Sequence, residues 1–260
     1  MKYKVVTNTI LSFMLISIFV IFLFINYFNY EKSMEFKDNV VFYVQHQDDE
    51  TLWASSAIER AIAEKGKNNV YIVQVSYGIN SNEFKKDKKF KNMTMMEKYE
   101  YREREFLAAT KQLGIKEENI IIIPRMIDKY EDSFKLEEKI ALDFEKKLKS
   151  VTHIAHTYKY DNHSEHIKNG KVIYYLYKQG KIKDVKFFVK PKYEFNIPIT
   201  EIMIYKTIDD KSKENIRRAC EEYKLIDEEQ KREGIGYKSD NLSFDKLLRE
   251  YKSILHTGNV

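Results

Sequence analysis

Two short segments of the chain concentrate the residue types that bind metals and move protons. The first is Gln45-His46-Gln47-Asp48-Asp49-Glu50, an imidazole followed closely by three carboxyl groups. The second runs from His153 to His166 and holds four of the chain's six histidines, with Asp161 and Glu165 among them. Three adjacent acids repel one another unless something offsets their charge. A helix N-terminus does part of that, and a divalent cation does more. Taken alone, Asp48, Asp49 and Glu50 also read as ordinary acids in the first turn of a helix. The second segment shifts the balance toward a metal. Two imidazoles and a carboxylate form a competent three-ligand set for catalytic zinc and leave the fourth position for water.

Such segments need a scaffold that brings them together. Val40–Gln45 is a short apolar run, as a strand buried on both faces should be. Thr51–Lys65 has helical spacing and ends at Gly66. Val70–Ser76 reads as a second strand and Ile120–Pro124 as a third. Thr94–Leu113, closed by Gly114, and Phe134–Lys149 read as helices. Val151–His156 reads as a fourth strand. This alternation predicts an α/β fold with a Rossmann-like, mostly parallel sheet and helices on both faces. Ligands of such sheets bind at the carboxyl ends of the strands, and both metal-binding segments follow strands there. His153 and His156 lie three apart on a strand, so they point to opposite faces. At most one reaches the site, His156 being the nearer, and both read as supporting residues. The tail predicts extended pieces at Val185–Tyr193 and Ile199–Lys206, then helices at Lys211–Tyr223 and Phe244–Leu255.

Other features read as unremarkable. Gly78–Asn92 is a loop long enough to be functional, and its run Lys85-Lys86-Asp87-Lys88-Lys89 reads as solvated. Phe187, Phe188, Tyr193 and Phe195 read as strand core. Gly234-Ile235-Gly236-Tyr237 marks a turn. Cys220 reads as an inert buried thiol and His256 as a surface tail residue.

Composition sets the outer limits. The chain has 260 residues, 33% charged and 43% hydrophobic, and this excludes a disordered polymer. A single cysteine excludes an intramolecular disulfide and a cysteine-based zinc cluster. Residues Ile10 to Ile25 carry no charge and approach the ~20 residues of a membrane helix. They read as a retained anchor within residues 1–30, followed by a polar linker at 31–38 and a catalytic domain at 39–260. A cleaved leader is the alternative. Lys2 and Lys4 would keep the N-terminus cytoplasmic and place the domain outside the cell membrane. Those two lysines supply part of the net charge of +5. The remainder is nearly neutral, and this argues against nucleic acid as a partner.

At this point the residues resemble a known family. His46-x-Asp48-Asp49-Glu50 is similar to the H-x-D-D-E signature of the PIG-L/LmbE-like de-N-acetylases, in their HQDDE branch. His163-x-x-His166 resembles their later H-x-D-H signature, with Glu165 in place of the aspartate. Arg102-x-x-Glu105-Phe106-x-x-Ala109-x-x-x-Leu113-Gly114 resembles the helix between them. The three motifs stand in the family's order within residues 40–170. The resemblance implies zinc bound by His46, Asp49 and His166, with another divalent metal as an alternative. It implies Asp48 as the general base that activates the attacking water. His163 would stabilise the oxyanion and protonate the leaving amine, and Arg102 would bind substrate. A structural Arg102–Glu105 pair is the plain alternative for the arginine. Asp128 is the candidate for the family's acidic substrate residue after the third strand. The implied activity is removal of the N-acetyl group from an N-acetylglucosamine-type sugar or glycan at the cell surface. The alternative is a catalytically silent, membrane-tethered glycan-binding module of the same fold.

Overall fold

The apolar runs become the inner strands of one seven-stranded sheet. The computed structural model describes residues 14–23, 35–127 and 132–258. Residues 14–23 form a helix, α1, within a unit of residues 1–35; residues 36–260 group as a second unit. Among the described residues no helix is long and apolar enough to cross a membrane. The rest of the Ile10–Ile25 run, like Asp128, lies outside the described residues.

The sheet contains β1 (Asn39–Val44), β2 (Val70–Gln74), β3 (Ile120–Ile122), β4 (Val151–His156), β5 (Val185–Val189), β6 (Ile202–Lys206) and β9 (Lys252–Thr257), in the order β3-β2-β1-β4-β5-β9-β6. The pairs from β3 through β5 are parallel, and β9 runs antiparallel to both of its neighbours. A short hairpin of β7 (Ile226–Asp227) and β8 (Arg232–Glu233) stands apart. Strand order reverses at β1, with β2 on one side and β4 on the other. That reversal opens a crevice beyond the strands' carboxyl ends. The expected α/β class with a mostly parallel sheet is therefore what the chain forms.

Residues of β1 alternate between faces yet are nearly all buried, because both faces are covered. Val41 and Tyr43 join a core with Ile140 and Ala141 of α6 (Ser133–Leu148) and Ile173 and Leu176 of α7 (Ser164–Lys178). Val40, Phe42 and Val44 face the other way and are fully buried. On that face α3 (Ser55–Lys65) meets β6, β9 and α8 (Asp210–Glu222), and α8 meets α5 (Met95–Gln112). Thr94 starts α5 through a capping box: its hydroxyl accepts the Glu97 N–H, and Glu97 accepts the Thr94 N–H.

The structure corrects several boundaries. The helix expected at Thr51–Lys65 breaks into α2 (Asp49–Leu52) and α3. The Gly78–Asn92 loop contains α4 (Glu83–Lys86), and Phe84 and Phe90 bury themselves with Tyr101 and Ile235, while Lys85–Lys89 is exposed as expected. Lys89 pairs with Glu228 and Glu233 of the β7–β8 region. Phe36, assigned to the linker, is buried and stacks on Tyr205, with ring centroids 5.2 Å apart. Phe195 is 96% exposed rather than core. The helix expected at Phe244–Leu255 ends as α10 (Asn241–Glu250), because Tyr251 takes a left-handed conformation and turns the chain into β9. His256 is therefore fully buried in the sheet, with Nε2 2.8 Å from the Thr157 hydroxyl. Cys220 is buried as expected, and burial pushes its thiol up to about 12.

Candidate active site

β1 and β4 are hydrogen-bonded neighbours from Asn39↔Val151 to Phe42↔Ile154, so the segments that follow them emerge side by side. After β1 the chain delivers His46, Asp48 and Asp49 at the start of α2. After β4 it passes Asp161 and enters α7, with His163 at the cap position and His166 in the first turn. α7 lies directly against the end of β4. A Cβ on Gly170 would stand 2.2 Å from the His156 carbonyl oxygen, so only glycine permits this approach.

The expected ligands come together. His46 Nδ1 is 3.1 Å from His166 Nε2, His46 Nδ1 is 3.3 Å from Asp49 Oδ2, and His166 Nε2 is 3.5 Å from the same oxygen. A tetrahedral zinc site with bonds of about 2.0–2.1 Å has ligand–ligand edges of roughly 3.3–3.4 Å. The donor set and its spacing thus fit a divalent cation with one coordination position left open. Two other triples, His46–His163–His166 and Asp49–His156–His166, also bring their atoms close. In those, His163 and His156 each stack on the His166 ring, at 4.4 and 3.9 Å between centroids. Near-parallel rings do not aim their in-plane lone pairs at one point, so the first triple is the better cage.

Each ligand is held from behind. His166 Nδ1 meets Asp161 Oδ2 at 2.8 Å, and Lys190 Nζ lies 3.6 Å from that carboxylate. His46 Nε2 meets Glu165 Oε2 at 2.9 Å. Asp49 Oδ2 accepts the His46 N–H at 2.7 Å and lies 3.0 Å from His156 Nε2, while Oδ1 accepts the Trp53 indole N–H at 3.0 Å. Carboxylate–imidazole pairs of this kind orient metal ligands and raise their basicity. Burial lowers the His46 pKa, but the bonds to Asp49 and Glu165 outweigh it and hold it at about 9. The same acceptors would stabilise a bound cation.

Asp48 stands beside this cage. Its backbone has φ of 130°, a region that disfavours side chains, and the surrounding structure imposes it. Burial raises its carboxyl pKa, and the positive charge of Arg102 opposes that rise. Arg102 Nη2 donates to Asp48 Oδ2 at 2.8 Å and also to the Gln47 carbonyl; Nη1 donates to Glu105 at 3.2 Å. Glu105 in turn accepts the N–H groups of Ile235 and Gly236 at the start of α9 (Ile235–Ser239). Gly236 is needed there, since a Cβ would meet the Tyr223 ring at 2.5 Å. Burial also lifts Glu50 to about 7, although Thr51 and Tyr223 donate to it. His163 is pushed down to about 4 by partial burial and the positive charge of its neighbours, so it is neutral near pH 7.

The site opens on a cleft of about 640 Å³ whose walls include Tyr77–Glu83, Trp53, Lys190 and Ser239, with Ser81 Oγ 2.7 Å from Ser239 Oγ. All six residues singled out from the sequence line it: His46, Asp48, Asp49, Arg102, His163 and His166. Arg102 is only 3% exposed, and its guanidinium is committed to Asp48, Gln47 and Glu105. The Gly78–Asn92 loop, long enough to be functional, supplies Gly78–Glu83 to the wall, whereas sequence reading missed Trp53, Lys190 and the roles of Asp161 and Glu165. Asp161 carried a faint signal, five residues before His166 in the histidine-rich segment.

The family model described as PIG-L, GlcNAc-PI de-N-acetylase, matches residues 41–176, and the chain belongs to that family. No curated protein matches its sequence. The A40926 pseudoaglycone deacetylase Dbv21 shares the fold with a TM-score of 0.59 at 12% identity, over 84% of this chain and 96% of that one. A triple mutant of the deacetylase of the teicoplanin biosynthetic pathway gives 0.56 at 13%, over 84% and 97%. The N,N'-diacetylchitobiose deacetylase of Pyrococcus horikoshii gives 0.53 at 13%, over 81% and 77%.

Proposed function

We propose that the protein is a metal-dependent hydrolase that removes the acetyl group from an N-acetylglucosamine-type sugar. The observation that carries this reading is the His46–Asp49–His166 cage with Asp48 beside it in one cleft. Family membership and the deacetylase structures of the same fold support it. Zinc suits two imidazoles and one carboxylate. When bound, such a cation polarises the amide carbonyl and lowers the pKa of water so that it attacks near neutral pH.

The chain's own residues supply the rest. Asp48, oriented by Arg102, takes the proton of the attacking water as the new C–O bond forms. His163 faces the cleft, where it stabilises the oxygen that gains negative charge. As the C–N bond breaks, the proton taken by Asp48 passes to the departing nitrogen, leaving a free amine and acetic acid, which ionises to acetate. Acetate release from N-acetylglucosamine or N,N'-diacetylchitobiose by the zinc-loaded protein, set against metal-free protein, tests the reading. No release from either sugar contradicts it.

The apolar Ile10–Ile25 run behind Lys2 and Lys4 supports a membrane-tethered enzyme with its catalytic domain outside the cell. Protease added to intact cells then digests the domain. A domain protected until the cells are lysed contradicts this placement.

A further inference from the structure

Asp49 and Trp53 are separated by one turn. Asp49 opens the single-turn helix α2 and Trp53 caps its end, where the Trp53 backbone N–H donates to the Asp49 carbonyl at 3.0 Å. This i,i+4 spacing brings the two side chains together on one face. The indole Nε1–H reaches Asp49 Oδ1 at 3.0 Å, and the ring is only 6% exposed. The other oxygen, Oδ2, is the one that faces His46 Nδ1 and His166 Nε2.

We propose that Trp53 fixes Asp49 for coordination through one oxygen only and so sets the metal affinity of the site. A carboxylate with both oxygens free can swing to chelate a cation, adding a ligand and filling the open position. Here the indole N–H holds Oδ1, while Oδ2, which accepts the His46 backbone N–H and lies 3.0 Å from His156 Nε2, is the oxygen turned toward the His46 and His166 ring nitrogens. Indole suits this task. Its N–H is a donor only and does not titrate over the working pH range, so the bond persists where a histidine's would come and go. The ring forms the wall between the cleft and a second cavity of about 320 Å³, together with Leu52, Lys190 and Asp240. Lys190 Nζ sits 5.9 Å from its centroid.

This inference rests on Asp49 being a metal ligand, and the experiment separates the two claims. Metal-free full-length protein is titrated with Zn²⁺ against a chelator of known affinity, as wild type and as Trp53→Phe. Phenylalanine keeps an aromatic ring and deletes the donor. The expected result is binding weakened 10–100-fold, the range seen when a partner of a metal ligand is lost, with an unchanged circular dichroism spectrum. Equal affinity in the two proteins overturns the role of Trp53. Failure of the wild type to bind Zn²⁺ overturns the metal site itself. A second measurement uses no Trp53 variant, since Trp53 is the only tryptophan in the chain. Its ¹⁵N-indole resonance should move when Zn²⁺ is added to the wild type and stay fixed in Asp49→Asn. An indole resonance indifferent to Zn²⁺ that the wild type binds overturns the proposal even if Trp53→Phe does not fold.

Discussion

The Arg102 guanidinium lies 2.8 Å from the Asp48 carboxylate and is buried beneath it. The same guanidinium reaches Glu105, which is pinned by two backbone N–H groups at the start of α9. The candidate base is thus aimed by two elements, α5 and α9, that are distant in sequence from its own loop. Its unfavourable φ of 130° is affordable because these contacts over-determine it.

Replacing Arg102 by lysine keeps the charge but cannot serve three acceptors at once. Arg102→Lys should lower kcat about 10²-fold, the scale of a misplaced catalytic group, while zinc content stays at the wild-type level. Arg102→Ala should also move the acidic limb of the pH–rate profile upward. Arg102 opposes the rise in the Asp48 pKa, so without it Asp48 gains its proton at higher pH. An acidic limb that stays in place in Arg102→Ala would show that Asp48 is not the group that limb reports.

Gly170 is a test of how α7 carries His166. A Cβ there would meet the His156 carbonyl oxygen at 2.2 Å and the Thr157 carbonyl carbon at 2.7 Å, and backbone cannot yield as a side chain can. Gly170→Ala should cost ~1–3 kcal/mol in urea unfolding, as overpacking does. It should also loosen zinc retention on dialysis, because the helix must back away with its ligand. Wild-type stability together with wild-type zinc retention would contradict the close docking of α7 on β4.

Glu59 offers a pH test away from the cleft. Burial lifts its carboxyl from 4.5 to about 7, against hydrogen bonds from Ser212 and Asn215. The native state therefore holds a proton that the unfolded chain has already released. This contribution is complete below about pH 4.5 and is lost as pH rises through about 7. Between pH 4.5 and 8 the wild type should lose ~1–3 kcal/mol relative to Glu59→Gln. Urea unfolding of both proteins at the two ends of that range checks it, and parallel profiles would contradict it.

Much of this was legible in local sequence. Val40–Gln45, Val70–Ser76 and Val151–His156 announce buried strands because their neighbours along the chain suffice to show it. The two clusters of histidine and acid were legible as metal-binding types after strand ends, and the family resemblance singled out His46, Asp49 and His166 within them. What was hidden depends on distant partners. Phe84 and Phe90 sit in a lysine-rich stretch, and only Tyr101 and Ile235 give them a reason to be buried. Lys252–Thr257 continues a helical pattern until Tyr251 turns left-handed and two waiting strands recruit the segment. His256 and the bonds of Asp161, Glu165 and Trp53 follow the same logic, since pairing across the sheet edge leaves no periodic mark.

The central claim is that the His46–Asp49–His166 cage and Asp48 act together on an N-acetyl sugar. The most direct measurement is acetate release from N,N'-diacetylchitobiose by zinc-loaded wild type and Asp48→Ala, with zinc quantified in both. The account predicts release by the wild type and a loss of 10²–10⁴-fold in Asp48→Ala, the usual contribution of a general base, at equal zinc content. Undiminished release by zinc-loaded Asp48→Ala would contradict it.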